Sequence, residues 1–264
     1  MLSSYKSGKY ANHASNIAAQ IADKLSHQFD VPAYIVDPIT TDEFFDIARI
    51  SGVPGIMRKS RSHALNIKYC ARKAALEIDI ALADTKFIIA HLGSGFSIAS
   101  VDGGKIIDVN DALLGMGPFS VQRAGSLPIS GILDEIFHSG KSRKELEQLF
   151  SKDSGLNGYL GTNQFQEIEQ SIMNGDAQTL LIVDAMIYQI AKEIGGLHAT
   201  FSGKTSALIV TGGLANSKYL IRKLNKYLTF IQPHIIYPGS FELEALANGV
   251  INVLNKKDTA KVYR

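Results

Sequence analysis

The chain has 264 residues, with 27 Lys and Arg against 25 Asp and Glu, and 45% of it is hydrophobic. A formal net charge of +2 excludes a protein built to hold nucleic acid or an anionic membrane by charge. The apolar fraction is that of an ordinary globular protein, and the single cysteine, Cys70, excludes an intrachain disulfide and fits a reducing compartment.

No apolar run approaches the roughly 18 residues that a bilayer span requires, and the first nine residues lack the apolar core of a signal peptide. These readings place the protein in the cytoplasm, with neither nucleic acid nor membrane as a partner. The length allows one large domain or two small ones.

In chain order, Ile17, Ala18, Ile21, Ala22 and Leu25 recur at helical spacing and predict a helix over about 13–28. Pro32–Asp37 reads as a short buried strand with Asp37 at its end, and 41–49 as a short helix. A basic run, Arg58 to His63, leads into a longer helix over 63–79 that contains Cys70, read as a small buried side chain. Over 86–109 the pattern is strand, Gly93-Ser94-Gly95 turn, strand, Asp102-Gly-Gly turn, strand. A glycine-rich crossing over 115–125 follows. Helices are expected at 129–138, 142–150, 163–173 and 176–200, the last with an apolar face running from Leu180 to Ile194. A buried strand at 207–213 ends in Gly212-Gly213. Then come a helix at 217–227 capped by Asn216 or Ser217, a strand at 234–237 and a closing helix at 242–254. Strands alternate with helices, so the class is α/β, with a mixed sheet that contains an antiparallel hairpin.

Several residues in this pattern carry chemistry. The Gly93-Ser94-Gly95 turn sits between two strands, so it is neither a P-loop nor a dinucleotide fingerprint, both of which need a helix after the glycines. It is a structural hairpin turn or a phosphate cradle. The Thr211-Gly212-Gly213 strand end before a helix suits a phosphate or an adenosine, or is a plain connection. His13 and His63 each open a helix and His91 ends a buried strand. Their spacing does not fit zinc, and lone histidines are mostly structural. Arg123, among short residues, offers a planar fork to carboxylate or phosphate, or is a surface Arg. Asp37 at a strand end is a magnesium candidate, whereas Glu242 and Glu244 in a first helical turn are accounted for by the helix dipole.

Taken together and in order, His13-Ala-Ser-Asn-Ile17, Tyr34-Ile-Val-Asp-Pro38, His63-Ala-Leu-Asn66, Ala90-His-Leu-Gly93, Arg123-Ala-Gly-Ser-Leu-Pro128, Tyr159-Leu-Gly-Thr-Asn163 and Thr211-Gly-Gly-Leu-Ala215 resemble the acetate and butyrate kinase family along essentially the whole chain. The resemblance implies an actin-like, ribonuclease H-like kinase fold. Residues 1–84 would be what remains of an incomplete first domain, 85–240 a second, nucleotide-binding domain, and the closing helix over 241–256 would pack back on the first.

It also implies transfer of the ATP γ-phosphate to a short-chain fatty acid, butyrate or a branched-chain acid, giving an acyl phosphate and ADP, with Mg²⁺ as cofactor. The alternatives are a catalytically impaired remnant that binds nucleotide or a partner, and a sugar kinase of the same fold. By position in the family's motifs, His63 would steady the transferring phosphoryl group, Arg123 would neutralise it, and His13 would lie nearby. Gly93, Ser94, Gly95, Thr162, Asn163, Gly212, Gly213 and Asn216 would hold the nucleotide, and Asp37 and Glu242 the metal.

Family members carry about a hundred further N-terminal residues, with a phosphate loop and a substrate-binding Arg that do not occur here. The resemblance therefore implies a truncated or split product, less stable over 1–80 than over 86–239. It also implies a homo-oligomer that works in fermentation.

Overall fold

The structure is a computed structural model that describes residues 16–261. Its frame is a five-stranded sheet in the order β3-β2-β1-β4-β5, formed by β1 (Lys86–Leu92), β2 (Phe96–Asp102), β3 (Lys105–Val109), β4 (Ala207–Gly212) and β5 (His234–Pro238). β1–β2–β3 is an antiparallel meander, and β4 and β5 run parallel to β1. Asp102 pairs with Lys105 across Gly103 and Gly104, both at positive φ, which is the backbone a two-residue hairpin turn requires.

β1 and β4 are apolar on both faces because both faces are covered. Ile88, Ala90 and Leu92 point to one layer. Phe87 and Ile89 point to the other. The first layer is roofed by α8 (Ala177–Thr200), whose buried face runs Ile182, Val183, Met186, Ile187, Ile190, Ile194 at helical spacing. Asp176 caps that helix by accepting from the backbone N–H groups of Gln178 and Thr179. α4 (Ile129–His138), α5 (Arg143–Ser151), α6 (Gly155–Leu160) and α7 (Phe165–Met173) precede α8 in the chain, and α9 (Lys218–Tyr227) joins β4 to β5. The second layer is covered by α3 (Ala64–Glu77), which buries Ile67, Cys70, Ala71 and Ala74, and α10 (Glu242–Leu254) packs on α3. α10 also packs on Val36, leaving no room for a side chain at Gly249. α1 (Asn16–Phe29) and the one-turn α2 (Asp46–Arg49) complete the set. Among the described residues, no helix is long and apolar enough to cross a membrane.

Three local expectations are corrected. Residues 32–37 form no strand and none of them is buried: no strand lies beside them among the described residues to complete a ladder, and Asp37 turns the chain at φ +37. The 41–49 helix shrinks to Asp46–Arg49. Asp42 takes the Phe44 N–H, Phe45 N–H donates to Ile107 O, and Glu43 accepts from Ile106 N–H, so this stretch covers the outer edge of β3 instead of coiling. The helix expected at 163 starts at Phe165, and the short α6, broken by glycines in sequence, was not expected.

Candidate functional site

The C-terminal ends of parallel strands are where an α/β sheet leaves room for ligands. Here a cavity of about 480 Å³ opens beside β1 and β4, on the α3 side of the sheet. Its wall brings together His63, Arg123, Asp37 and Glu242, four of the residues singled out in the sequence, among apolar side chains such as Ala22, Ile35, Val36 and Leu246.

His63 is the N-cap residue of α3. Its ring stacks on that of His91, with centroids 4.1 Å apart and planes 20° from parallel. Nδ1 of His63 lies 2.8 Å from Ser97 Oγ, and the His63 backbone N–H donates to the same oxygen at 3.2 Å. His91 and Ser97 are direct cross-strand partners on β1 and β2, so one hairpin supports His63 by a ring face and by a hydroxyl. His91 is buried, its Nδ1 lies 3.1 Å from Asn66 Oδ1, and Asn66 Oδ1 also accepts from Thr211 Oγ1. Burial pushes the His91 pKa down to about 4, against a smaller opposite pull from Glu242, so the ring is neutral at pH 7.

Arg123 reaches the cavity from the glycine-rich crossing. Its guanidinium lies where a Cβ on Gly95 would be, so Gly95 is the floor on which Arg123 rests. Nη1 is buried without a hydrogen-bond partner among the described residues. Burial lowers the Arg123 pKa and the charge of Asp111 opposes that, yet an Arg starts so high that it stays charged. A buried cationic donor without an acceptor is held ready for an anion. Ser120, which sequence reasoning missed, fastens this loop: its Oγ donates to Ser94 O at 2.7 Å and accepts from Arg123 N–H at 3.2 Å. The basic run before His63 is anchored too, with Arg58 on Asp108 and Arg61 on Asp111.

The carboxylates differ. Asp37 is engaged by Lys68 and Arg72, each at 3.2 Å. Glu242 is exposed and makes no hydrogen bond or ion pair among the described residues. Magnesium takes one or two carboxylates plus water and phosphate oxygens. Glu242 fits that habit, and Asp37 fits it once one of its two cations moves aside.

Among the remaining described candidates, Gly95 meets the wall through Arg123 and the others do not line it. Gly93 and Gly95 form the β1–β2 turn with Ser94 exposed between them, its carbonyl tied to Ser120 and to Gln122 N. Gly212 sits at φ +94 against the Leu92 backbone, so strand packing alone demands a glycine there. Gly213 faces open space and starts a 3-10 turn through Asn216. Thr162 and Asn163 form the turn before α7. Ser217, the α9 cap, donates to Glu169 on α7 at 2.6 Å, which ties the 213–216 turn to the helix that begins after Asn163. His13 lies outside the described residues.

Residues 53–232 match the model of the acetokinase family. Along its whole length the chain is 43% identical to a "Probable butyrate kinase" of Listeria monocytogenes serotype 4a (strain HCC23), covering 74% of that protein. It is 44% identical to the "Probable butyrate kinase" of Listeria welshimeri, with the same coverage. The chain belongs to the acetokinase family. Family members are phosphotransferases that act on carboxylates.

Solved structures agree on the acetokinase fold. A propionate kinase from Francisella tularensis superposes with a TM-score of 0.76 at 21% identity, covering 92% of this chain and 71% of that one. An acetate kinase from Entamoeba histolytica gives 0.76 at 19%, covering 94% and 74%. The fold is thus that of the actin-like ATPases.

Proposed function

We propose that this acetokinase-family chain transfers the γ-phosphate of ATP to butanoate or a similar short-chain carboxylate, giving an acyl phosphate and ADP. The supporting observation is the buried, unpartnered Arg123 Nη1 on the wall of a largely apolar cavity that also carries His63. An alkyl chain is at home against Ile35, Val36 and Leu246, and a carboxylate oxygen and a phosphoryl group are at home between His63 and Arg123.

A carboxylate is already ionised at neutral pH, so the nucleophile needs no general base. Its oxygen attacks the γ-phosphorus while the bond to the ADP oxygen breaks. The protein supplies position and charge rather than proton transfer. Arg123 offers guanidinium N–H donors to the equatorial phosphoryl oxygens, and His63 offers an N–H. Gly93 to Gly95 accommodate the phosphates, with the nucleotide passing toward Gly213, Asn216, Thr162 and Asn163. His13 belongs near the acyl group by its place in the family motif. Magnesium, when bound, would neutralise phosphate charge, and Glu242 and Asp37 would hold it.

The same reading carries a homo-oligomer in the cytoplasm that works in fermentation. It divides the chain into a unit ending near residue 84, completed by α10, and a nucleotide-holding unit over 85–240.

The test is hydroxylamine trapping. The chain with Mg-ATP and butanoate yields butanoyl hydroxamate, and Arg123→Ala slows its formation about 10²- to 10³-fold. Calorimetric binding of Mg-ATP with no hydroxamate from any short-chain acid would sink the kinase reading in favour of a nucleotide-binding remnant. Phosphorylation of a hexose instead would select a sugar kinase.

A further inference from the structure

We infer that Ser97 is a positioning residue for His63: its hydroxyl proton goes to Nδ1 of His63 and fixes the imidazole as the tautomer that carries its own proton on Nε2. This rests on the reading of His63 as a donor to the transferring phosphoryl group.

The assignment follows from counting donors and acceptors around one buried oxygen. Ser97 is fully buried on β2. Its Oγ has two neighbours within hydrogen-bond distance, the backbone N of His63 at 3.2 Å and Nδ1 of His63 at 2.8 Å, and it has no other partner among the described residues. A backbone N–H can only donate, so Oγ accepts there. The hydroxyl proton then has one acceptor in reach, Nδ1. Were Nδ1 protonated, Oγ would receive two N–H groups and its own proton would be left buried and unmatched, an arrangement that native interiors avoid. Nδ1 is therefore the bare nitrogen and Nε2 carries the proton. The hydrogen bond made by one imidazole nitrogen decides the state of the other.

Two further contacts hold the geometry. The stack on His91 fixes the plane of the ring without engaging either nitrogen, and His91 is the cross-strand partner of Ser97, so both supports move as one piece of sheet. His63 is also the last residue before α3, whose buried face anchors the backbone N–H that Ser97 accepts. The ring edge away from Ser97 thus presents N–H rather than a lone pair. A lone pair there would repel phosphoryl oxygens, while an N–H stabilises the charge they gain in the transition state.

The test separates tautomer from turnover. In protein labelled with ¹⁵N-histidine, long-range ¹H–¹⁵N correlation near neutral pH shows His63 protonated on Nε2, with the resonances assigned by their loss in His63→Gln. In Ser97→Ala the two tautomers mix, and kcat for acyl phosphate formation falls about 10- to 100-fold, short of the roughly 10²- to 10³-fold cost of losing a preorganised donor outright. KM for ATP and for the carboxylate stays within about twofold. Ser97→Thr, which keeps the hydroxyl, restores both the spectrum and kcat.

Protonation on Nδ1 in the wild-type protein overturns the inference, as does an unchanged Nε2–H spectrum in Ser97→Ala. Should Ser97→Ala fail to fold, the wild-type spectrum still decides. A wild-type protein that forms no acyl phosphate yet shows the Nε2–H pattern defeats the kinase reading and leaves the Ser97 assignment standing.

Discussion

Arg123 holds a full charge where burial works against it, and nothing among the described residues meets its Nη1. Such a donor suits an anionic ligand. Arg123→Ala is expected to lower kcat about 10²- to 10³-fold, the usual cost of one lost preorganised donor. Gly95→Ala is expected to lower kcat in the same direction although it removes no functional group, because its methyl takes the space of the guanidinium. Steady-state kinetics alongside circular dichroism checks both, and wild-type kcat in folded Gly95→Ala would refute the support role of Gly95.

His91 gives a pH signature. Its pKa falls from an ordinary 6.5 to about 4 through burial among Asn66, the His63 ring and Gly93, with Glu242 pulling weakly upward. Between those values the unfolded chain binds a proton that the folded chain refuses. Stability from this group is therefore complete above about pH 6.5 and declines as pH falls toward 4, by roughly 3 kcal/mol in all. Urea unfolding at pH 7, 5.5 and 4 measures the slope, and His91→Gln should flatten it; equal slopes in the two proteins would contradict the assignment. Of the four candidates that line the cavity, His63, Arg123 and Asp37 stand out in the sequence beside turns and element ends, whereas Glu242, at home in a first helical turn, is singled out only by the family resemblance. Ser97, Ser120 and Asn66 did not stand out, because a serine or an amide in a strand or helix looks like any other until the fold sets an imidazole or a carbonyl against it.

At the scale of elements, the ends of β1 and β4 come so close that Gly212 lies against the Leu92 backbone at φ +94. Gly212→Ala is expected to cost about 1–3 kcal/mol for a backbone at φ +94 and ψ 174, a region open essentially to glycine alone, and more for the collision, read as a lowered urea midpoint with an unchanged m-value. The glycine pair that looked like a nucleotide signal is thus half structural: Gly212 serves the sheet, and Gly213 is the residue with open space around it.

Elements whose partners are near in sequence were readable. The β1–β2–β3 meander, the Gly103-Gly104 turn and the apolar face of α8 declare themselves through periodicity and turn chemistry, and of the two cap candidates Asn216 and Ser217 the cap is Ser217. Elements defined by distant partners were not. The apolar residues at 44–50 look helical, yet Phe44 packs under Arg49 and Arg58, and Phe45 bonds to Ile107, more than sixty positions away. Residues 32–37 have the composition of a strand and lack, among the described residues, the neighbour that would make them one.

On the scale of the whole molecule, the two faces of the sheet are covered unequally. The α8 face is closed by long apolar contacts from Ile182 to Leu197. On the other face α3 is sealed, with Ile67, Cys70, Ala71 and Ala74 fully buried, while α1 buries Ala19 and leaves Ile17, Ile21 and Phe29 more than half exposed. Ile47, Ile50, Val53 and Ile56 in the following stretch are likewise exposed. Local opening follows burial and backbone pairing rather than position in the chain. The boundary of low stability therefore falls before α3, not after it as a division at residue 80 would have it. Hydrogen exchange followed by mass spectrometry should show residues 16–57 exchanging fast, α3 exchanging as slowly as β1, β2 and β4, and α4, which buries no residue, exchanging fast inside the otherwise protected half. Uniform protection from 16 to 77 would refute this, and so would an α3 that opens with α1. The distinction bears on the site. His63 stands on the slow side of the boundary, fixed to the sheet through Ser97 and His91. Asp37 stands on the fast side, held by two cations to α3. Mg-ATP with butanoate should therefore slow exchange around Asp37 and leave α3 unchanged, because the second is already at the protection of the core.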